Sequence, residues 1–197
     1  MTVNTDLLQA GPESAKRLLG SVLRCGTTSG VIVETEFYDQ TDPASHTFGG
    51  MTPRNWPMFE AAGHLYVYRS YGIHWCANVV VGEHGYGSAV LIRAVEPLQG
   101  IDAMWDRRPK ANRPTDLASG PGKVCAALGI SGSHSGSNLF DPESAVRLEL
   151  RDSAPPSLVE SGLRVGISKA KQQPWRFALV GNPHVSRPRI KRATSRR

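Results

Sequence analysis

Cysteine is scarce in this chain and provides no framework. Cys25, Cys76 and Cys125 are far apart and odd in number, and no two of them have metal-ligand spacing. Buried, reduced thiols are expected rather than disulfides. The six histidines form no HxxxH pattern and no CxxC occurs, so a structural zinc site is not expected. Long apolar runs are missing as well. Nothing approaches the roughly 20 apolar residues that span a bilayer, and the start MTVNTDLLQAG lacks the basic and apolar segments of a secretion signal. A cytoplasmic protein without a membrane partner is the expectation. Aromatic residues are only 7% of the chain, so any dense cluster of them is informative.

Negative charge is absent from one end. Ten of the 23 Lys/Arg residues lie between Arg164 and Arg197, where there is no Asp or Glu; the rest of the chain carries thirteen basic against seventeen acidic residues. The net charge of +6 therefore resides in the last sixth, an electrostatic footprint for a polyanion, most often nucleic acid. Residues 1–186 read as a single domain with a sizeable core. Residues 187–197 (RPRIKRATSRR) read as a disordered basic tail, either solubilising or in contact with the polyanion.

Asp6, Pro12-Glu13-Ser14, and Ala15, Leu18, Leu19, Val22 and Leu23 at helical spacing predict an amphipathic helix over Thr5 to Gly20. Val31 to Tyr38 reads as a strand, followed by a loop rich in proline and glycine. His64 to Tyr71, Trp75 to Val81 and Ala89 to Glu96 read as three strands able to pair antiparallel, with turns at Gly72 and at Gly82 to Gly87. Leu98 to Arg108 reads as a helix with Ile101, Met104 and Trp105 on one face. Gly120-Pro121-Gly122-Lys123 opens another helix through Leu128, stopped by Gly129. Glycines at that start leave backbone N–H groups open, which makes the segment either a phosphate contact with Lys123 beside it or an ordinary turn and cap. Ala145 to Arg151, Leu163 to Ile167 and Phe177 to Val180 read as short strands.

Val33 to Tyr38 (VETEFY) is followed by Asp42-Pro43-Ala44-Ser45-His46, so carboxylates, a tyrosine and a histidine fall within fourteen residues. Glutamates in an apolar strand are costly to a sheet that must bury a face. Strand alternation puts Glu34, Glu36 and Tyr38 on one side and Val33, Thr35 and Phe37 on the other. The acidic side is either a site wall or the solvated face of an edge strand. Gly63 to Asn78 (GHLYVYRSYGIHWCAN) holds Tyr66, Tyr68, Tyr71, His74 and Trp75. Tyr66 and Tyr68 project to one face, either as core or as a stacking platform for nucleobases. Tyr71 sits at a turn, from which an aromatic can be pushed into a base stack.

Together with MTPRN at Met51 to Asn55, Met58-Phe59, AVLIRAVEP at Ala89 to Pro97, DLASGPGK at Asp116 to Lys123 and RVGI at Arg164 to Ile167, these segments resemble the alkyladenine, or 3-methyladenine, DNA glycosylase family. The likeness runs in order from about Leu8 to Pro183. It implies a mixed α/β single domain around a curved antiparallel sheet, like the open barrel of formyltransferase C-terminal domains. It implies a monofunctional, cofactor-free enzyme, expected to be a monomer and nucleoid-associated if bacterial, whose partner is double-stranded DNA containing damaged purines. By the same resemblance Glu36 activates water, and Arg93 positions backbone and water near the sugar. Tyr38 and His46 form one wall of the base pocket and Tyr68 the other, Asn78 meets the base edge, and Tyr71 fills the gap left by the extruded nucleotide. The role of Glu34 stays open.

Overall fold

The computed structural model describes residues 8–190. Its hub is strand β2 (Thr28–Asp39). One edge of β2 pairs antiparallel with β5 (Ser88–Gln99); the other pairs first with β1 (Val22–Cys25) and then with β8 (Arg176–Leu179). Beyond β5 lie β4 (His74–Val80) and then β3 (Leu65–Ser70). On the opposite side β6 (Val146–Glu149) adds to β1, and β7 (Val159–Gly162) adds to β8. The result is a mixed α/β domain built on one curled, antiparallel sheet of eight strands, as the sequence led us to expect. β2 is central, which rules out the edge-strand account of its glutamates.

Alternation divides the sheet into two faces. Ile32 and Phe37 of β2, Ala77 and Val79 of β4, and Val90 and Ile92 of β5 belong to the main core with Ala15, Leu18, Val124 and Leu128. Helix α1 (Pro12–Arg17) packs on β2, and α3 (Pro121–Leu128) on β4 and β5; α2 (Ile101–Arg107) lies against α3. The Thr35 hydroxyl, on this face, donates to the Ala15 carbonyl at 2.8 Å. Truncating Ile92 or Phe37 to alanine should cost about 2–5 kcal/mol, as a cavity in a filled core usually does. No helix among the described residues is long and apolar enough to cross a membrane.

Leu98 and Gln99 end strand β5 rather than opening a helix, and the structure departs from the sequence reading elsewhere too. The first helix covers only Pro12–Arg17; Gly20 at φ 86° ends it, and Val22 and Leu23 enter strand β1 instead. Their spacing fits a helix, yet Gly26 at φ 54° turns the chain so that β1 pairs back on β2 as a hairpin. Asp6, the expected N-terminal signal, lies outside the described residues. Leu163 to Ile167 is a loop rather than a strand, and the strand there is Val159–Gly162. Gly166 at φ 81° breaks extension, and the Val165 N–H donates to the Glu36 side chain instead of a neighbouring strand. Finally, Val33 does not share a face with Thr35 and Phe37: it packs with Ala94, Ala178 and Val185. The cause is a bulge between Ile32 and Glu34, which leaves Val33 without a partner on β5.

Candidate active site

The face opposite the main core carries one continuous row of paired residues. Tyr66 pairs with Asn78, Asn78 with Leu91, Leu91 with Glu36, and Glu36 with Arg176. The next positions on the same face are Tyr68 and Cys76, paired with each other. Residues distant in sequence thus meet because each occupies an alternate position of a neighbouring strand.

Two irregularities aim the charged groups. Val33 is unpaired on β2 and, one step on, Arg93 is unpaired on β5, because Glu34 pairs with Ala94 while Thr35 pairs with Ile92. Bulges re-aim side chains, and here the guanidinium of Arg93 reaches both glutamates. Its Nε donates to Glu34 Oε1 at 2.9 Å and its Nη1 to Glu36 Oε2 at 3.2 Å. Both carboxylates are 0% exposed.

Their surroundings differ. Glu34 also accepts from Arg176 Nε at 2.7 Å, from the Ser186 N–H at 2.7 Å and from the Ser186 hydroxyl at 2.9 Å. Burial works to raise its pKa, but Arg93, Arg176 and the Ser186 donors outweigh it and hold the carboxyl below the usual range. Glu36 accepts from the Tyr38 hydroxyl at 2.8 Å and from the Val165 N–H at 2.8 Å, besides Arg93. Burial dominates there and pushes its pKa above the usual carboxylate value, against Arg93, Val165 and Tyr38. The pKa values of two buried carboxyls on one strand therefore shift in opposite directions.

Above this cluster lies a cavity of about 460 Å³. Tyr38, His46, Tyr68, Tyr71, Asn78 and Arg93 all line it, as do Val165 and Gly166. Glu36 is not among the residues lining it, but its hydrogen-bond partners Tyr38, Arg93 and Val165 are. Tyr66 and Tyr68 stack with centroids 5.6 Å apart, and the Tyr66 hydroxyl meets His46 Nδ1 at 3.0 Å. His46 touches Tyr68 edge to face at 4.4 Å, so these two rings meet rather than face each other across an open slot. Partial burial, then Arg54, lower the His46 pKa and favour the neutral ring. Burial and the neighbouring Glu36 raise that of Tyr38, so the phenol stays a donor to the carboxylate. Asn78 donates from Nδ2 to the Tyr66 carbonyl at 3.1 Å. The loop bearing His46 is pinned by buried Asn55, whose amide donates to the His46 and Gly50 carbonyls at 2.8 and 3.0 Å.

Tyr71 stands at the β3–β4 turn on the cavity rim, 88% exposed, with Ile73 68% exposed beside it. Lys123 does not line this cavity. It lines another cleft with Arg113, Arg187 and Arg189, while Pro121, two residues earlier, borders this cavity. Residues 187–190 are held on the domain: Arg176 Nη2 donates to the Pro188 carbonyl at 2.8 Å, and Arg189 to the Asn182 and Pro183 carbonyls at 2.9 and 3.1 Å. The rest of the basic segment, 191–197, lies outside the described residues.

Sequence reasoning had not singled out Ser186, Arg176, Asn55 or Val165 as parts of the site. Only RVGI and MTPRN, as blocks, pointed to two of them. Nothing local marks Ser186, which reaches Glu34 across 152 positions.

The site thus combines a buried carboxyl, fixed by an arginine, with a cavity lined by tyrosines. The model of the methylpurine-DNA glycosylase family matches residues 6–183, and the chain belongs to that family. A protein of Nitrosospira multiformis is 48% identical over 183 residues, covering 93% of this chain and 92% of its own length. One of Agrobacterium fabrum is 51% identical, covering 88% and 86%, and one of Nocardia farcinica is 46% identical, covering 92% and 88%. Each bears the name "Putative 3-methyladenine DNA glycosylase".

Proposed function

We propose that this protein is a monofunctional DNA glycosylase that flips alkylated purines of the 3-methyladenine type out of duplex DNA and hydrolyses the N-glycosidic bond, leaving an abasic site. The observation that carries this reading is the placing of Glu36, a fully buried carboxylate hydrogen-bonded to Tyr38, Arg93 and Val165, three residues that line the aromatic cavity. Among the described residues, Oε2 accepts from Tyr38 and Arg93 and Oε1 from the Val165 N–H alone, which leaves Oε1 a second acceptor position for a water. Water there loses its proton to Glu36 as the sugar acquires oxocarbenium character, which the carboxylate also stabilises. Arg93 holds the carboxylate in place and lies at the cavity floor, near the sugar's position. An alkylated purine is already a good leaving group, so one activated water suffices.

Tyr68 stacks on one face of the base, Tyr38 and His46 bound the other, and Asn78 meets its edge. His46 must swing away from Tyr68 for a base to enter. Its exposed position on a loop permits this. Tyr71 enters the base stack as the nucleotide leaves it, offsetting part of the few kcal/mol that unstacking costs. Lys123 and its cleft take backbone phosphates. Lys123 lines another cleft and not this cavity, which supports hydrolysis by water over attack by an amine, and no cofactor is needed. We read the protein as a cytoplasmic monomer acting at the chromosome.

The test is incubation with duplexes that each carry one defined lesion, followed by alkaline cleavage at abasic sites. Cleavage at alkylated purines, with free nucleosides left intact, is expected. Absence of abasic sites on every lesion, despite tight duplex binding, would favour a non-catalytic binding module.

A further inference from the structure

Arg164 is a buried cation outside the set already assigned. It lies on the loop after β7, and its guanidinium is fastened on several sides. Nη1 donates to the Phe37 carbonyl at 3.0 Å and to Asp42 Oδ2; Nη2 donates to Asp42 Oδ1 at 3.1 Å and to the Ala170 carbonyl at 3.3 Å. The plane lies 4.6 Å from the Tyr38 ring centroid and 5.2 Å from that of Trp175. Its Nε is buried with no hydrogen-bond partner among the described residues.

Stability alone is a poor account of such a group. Desolvating an ion pair cancels much of its attraction, and an unpaired buried N–H adds a cost. What the guanidinium does achieve is connection. It backs Tyr38, it fixes the backbone between Glu36 and Tyr38, and it anchors Asp42, four residues before His46. The residue that follows it, Val165, gives its N–H to Glu36 Oε1 at 2.8 Å. The base wall and the carboxylate are thus tied to one rigid fork.

We propose that Arg164 is a positioning residue that fixes the Tyr38 wall and the Val165 N–H, and through them the orientation of Glu36. This rests on the glycosylase reading only for its effect on rate. Glu36 is faced by Arg93 from β5, Arg176 from β8, Tyr68 from β3, and Glu34 and Tyr38 from its own strand. Of these, Tyr38 is held by Arg164, so replacing Arg164 loosens both the Tyr38 hydroxyl and the Val165 N–H, two donors that favour the charged carboxylate. The Glu36 pKa then moves up.

Arg164→Lys keeps the charge beside Asp42 but loses the planar stack and the fork. Release of 3-methyladenine from methylated duplex, with protein in excess, gives a rate constant independent of the folded fraction. That constant should fall by about ten- to a hundredfold, as small misplacements at reacting centres do. The acid limb of the pH–rate profile should move to higher pH, with affinity for undamaged duplex unchanged. A lower melting temperature with an unchanged rate constant and acid limb would overturn the proposal and leave Arg164 a structural ion pair. Should Arg164→Lys not fold, Asp42→Asn serves in its place, with a smaller loss in the same direction; an unchanged rate constant there also overturns it. Titration of carboxyl-labelled Glu36 by NMR reads the positioning without any substrate. An upward shift in the variant supports the proposal even if no lesion is excised by the parent protein, which would count against the glycosylase reading alone; an unmoved Glu36 titration overturns it.

Discussion

Replacing Tyr71 by asparagine should make the protein more stable and a worse base-flipping protein. Tyr71 and Gly72 have φ of 50° and 70°, and the Ile73 N–H donates to the Ser70 carbonyl at 3.0 Å. Positive φ at both central positions is the pattern of a type I′ turn, which favours Asn-Gly. A tyrosine there bears a left-handed cost of roughly 1–2 kcal/mol, and at 88% exposure its ring recovers little of it by packing. Asparagine tolerates the conformation, so recovering about 1 kcal/mol should raise Tm by about 2–4 °C in a chain of this size. The same change removes the aromatic that would fill the vacated stack. Fluorescence of a 2-aminopurine beside the lesion should rise less than with the parent protein, while salt-dependent binding to undamaged duplex is kept. A Tm that stays level or drops would refute the strain argument, and an undiminished flipping signal would refute the wedge.

Glu34→Gln should destabilise the fold by about 3–5 kcal/mol in urea unfolding, since it leaves the buried guanidinium groups of Arg93 and Arg176 without their shared anion. Because the Glu34 pKa is lowered on folding, its contribution is full above the ordinary carboxylate value and is lost as pH falls through the lowered one; the variant's stability should therefore decline less on acidification, and an equal decline would contradict this. Removing 191–197 takes away Lys191, Arg192, Arg196 and Arg197. If they meet phosphates, the slope of log affinity against log salt should fall by about 0.9 for each phosphate no longer neutralised, whereas an unchanged slope makes them bystanders.

The parts of the site that lie within one strand were legible in the sequence. Alternation places Glu34, Glu36 and Tyr38 together, and likewise Tyr66 and Tyr68, because both sets obey a local period of two. The turn at Tyr71-Gly72 is equally local. Bulges were not legible: Val33 and Arg93 look like ordinary strand residues, and only pairing β2 against β5 reveals that each is the extra one. Long-range closure was hidden for a similar reason. Ser186, Arg176 and Arg164 find their acids across more than a hundred positions, and no spacing encodes which arginine meets which carboxylate. The first helix, expected over Thr5 to Gly20, is shorter at both ends: it starts at Pro12 after Gly11 at φ 143° and stops at Arg17, although Leu18 and Leu19 keep the helical period.

The account turns on Glu36, and its most direct measurement is single-turnover excision by Glu36→Gln. Every neighbour hydrogen-bonded to this carboxylate donates to it, namely Tyr38, Arg93 and the Val165 N–H. A glutamine must turn its NH₂ toward one of these donors, a mismatch of about 1–3 kcal/mol that leaves the fold in place. Lesion-containing duplex should still bind, while the excision rate constant collapses, more for neutral lesions than for cationic 3-methyladenine, whose departure needs less help. Excision of every lesion at the parent rate would contradict the account and remove Glu36 from the chemistry.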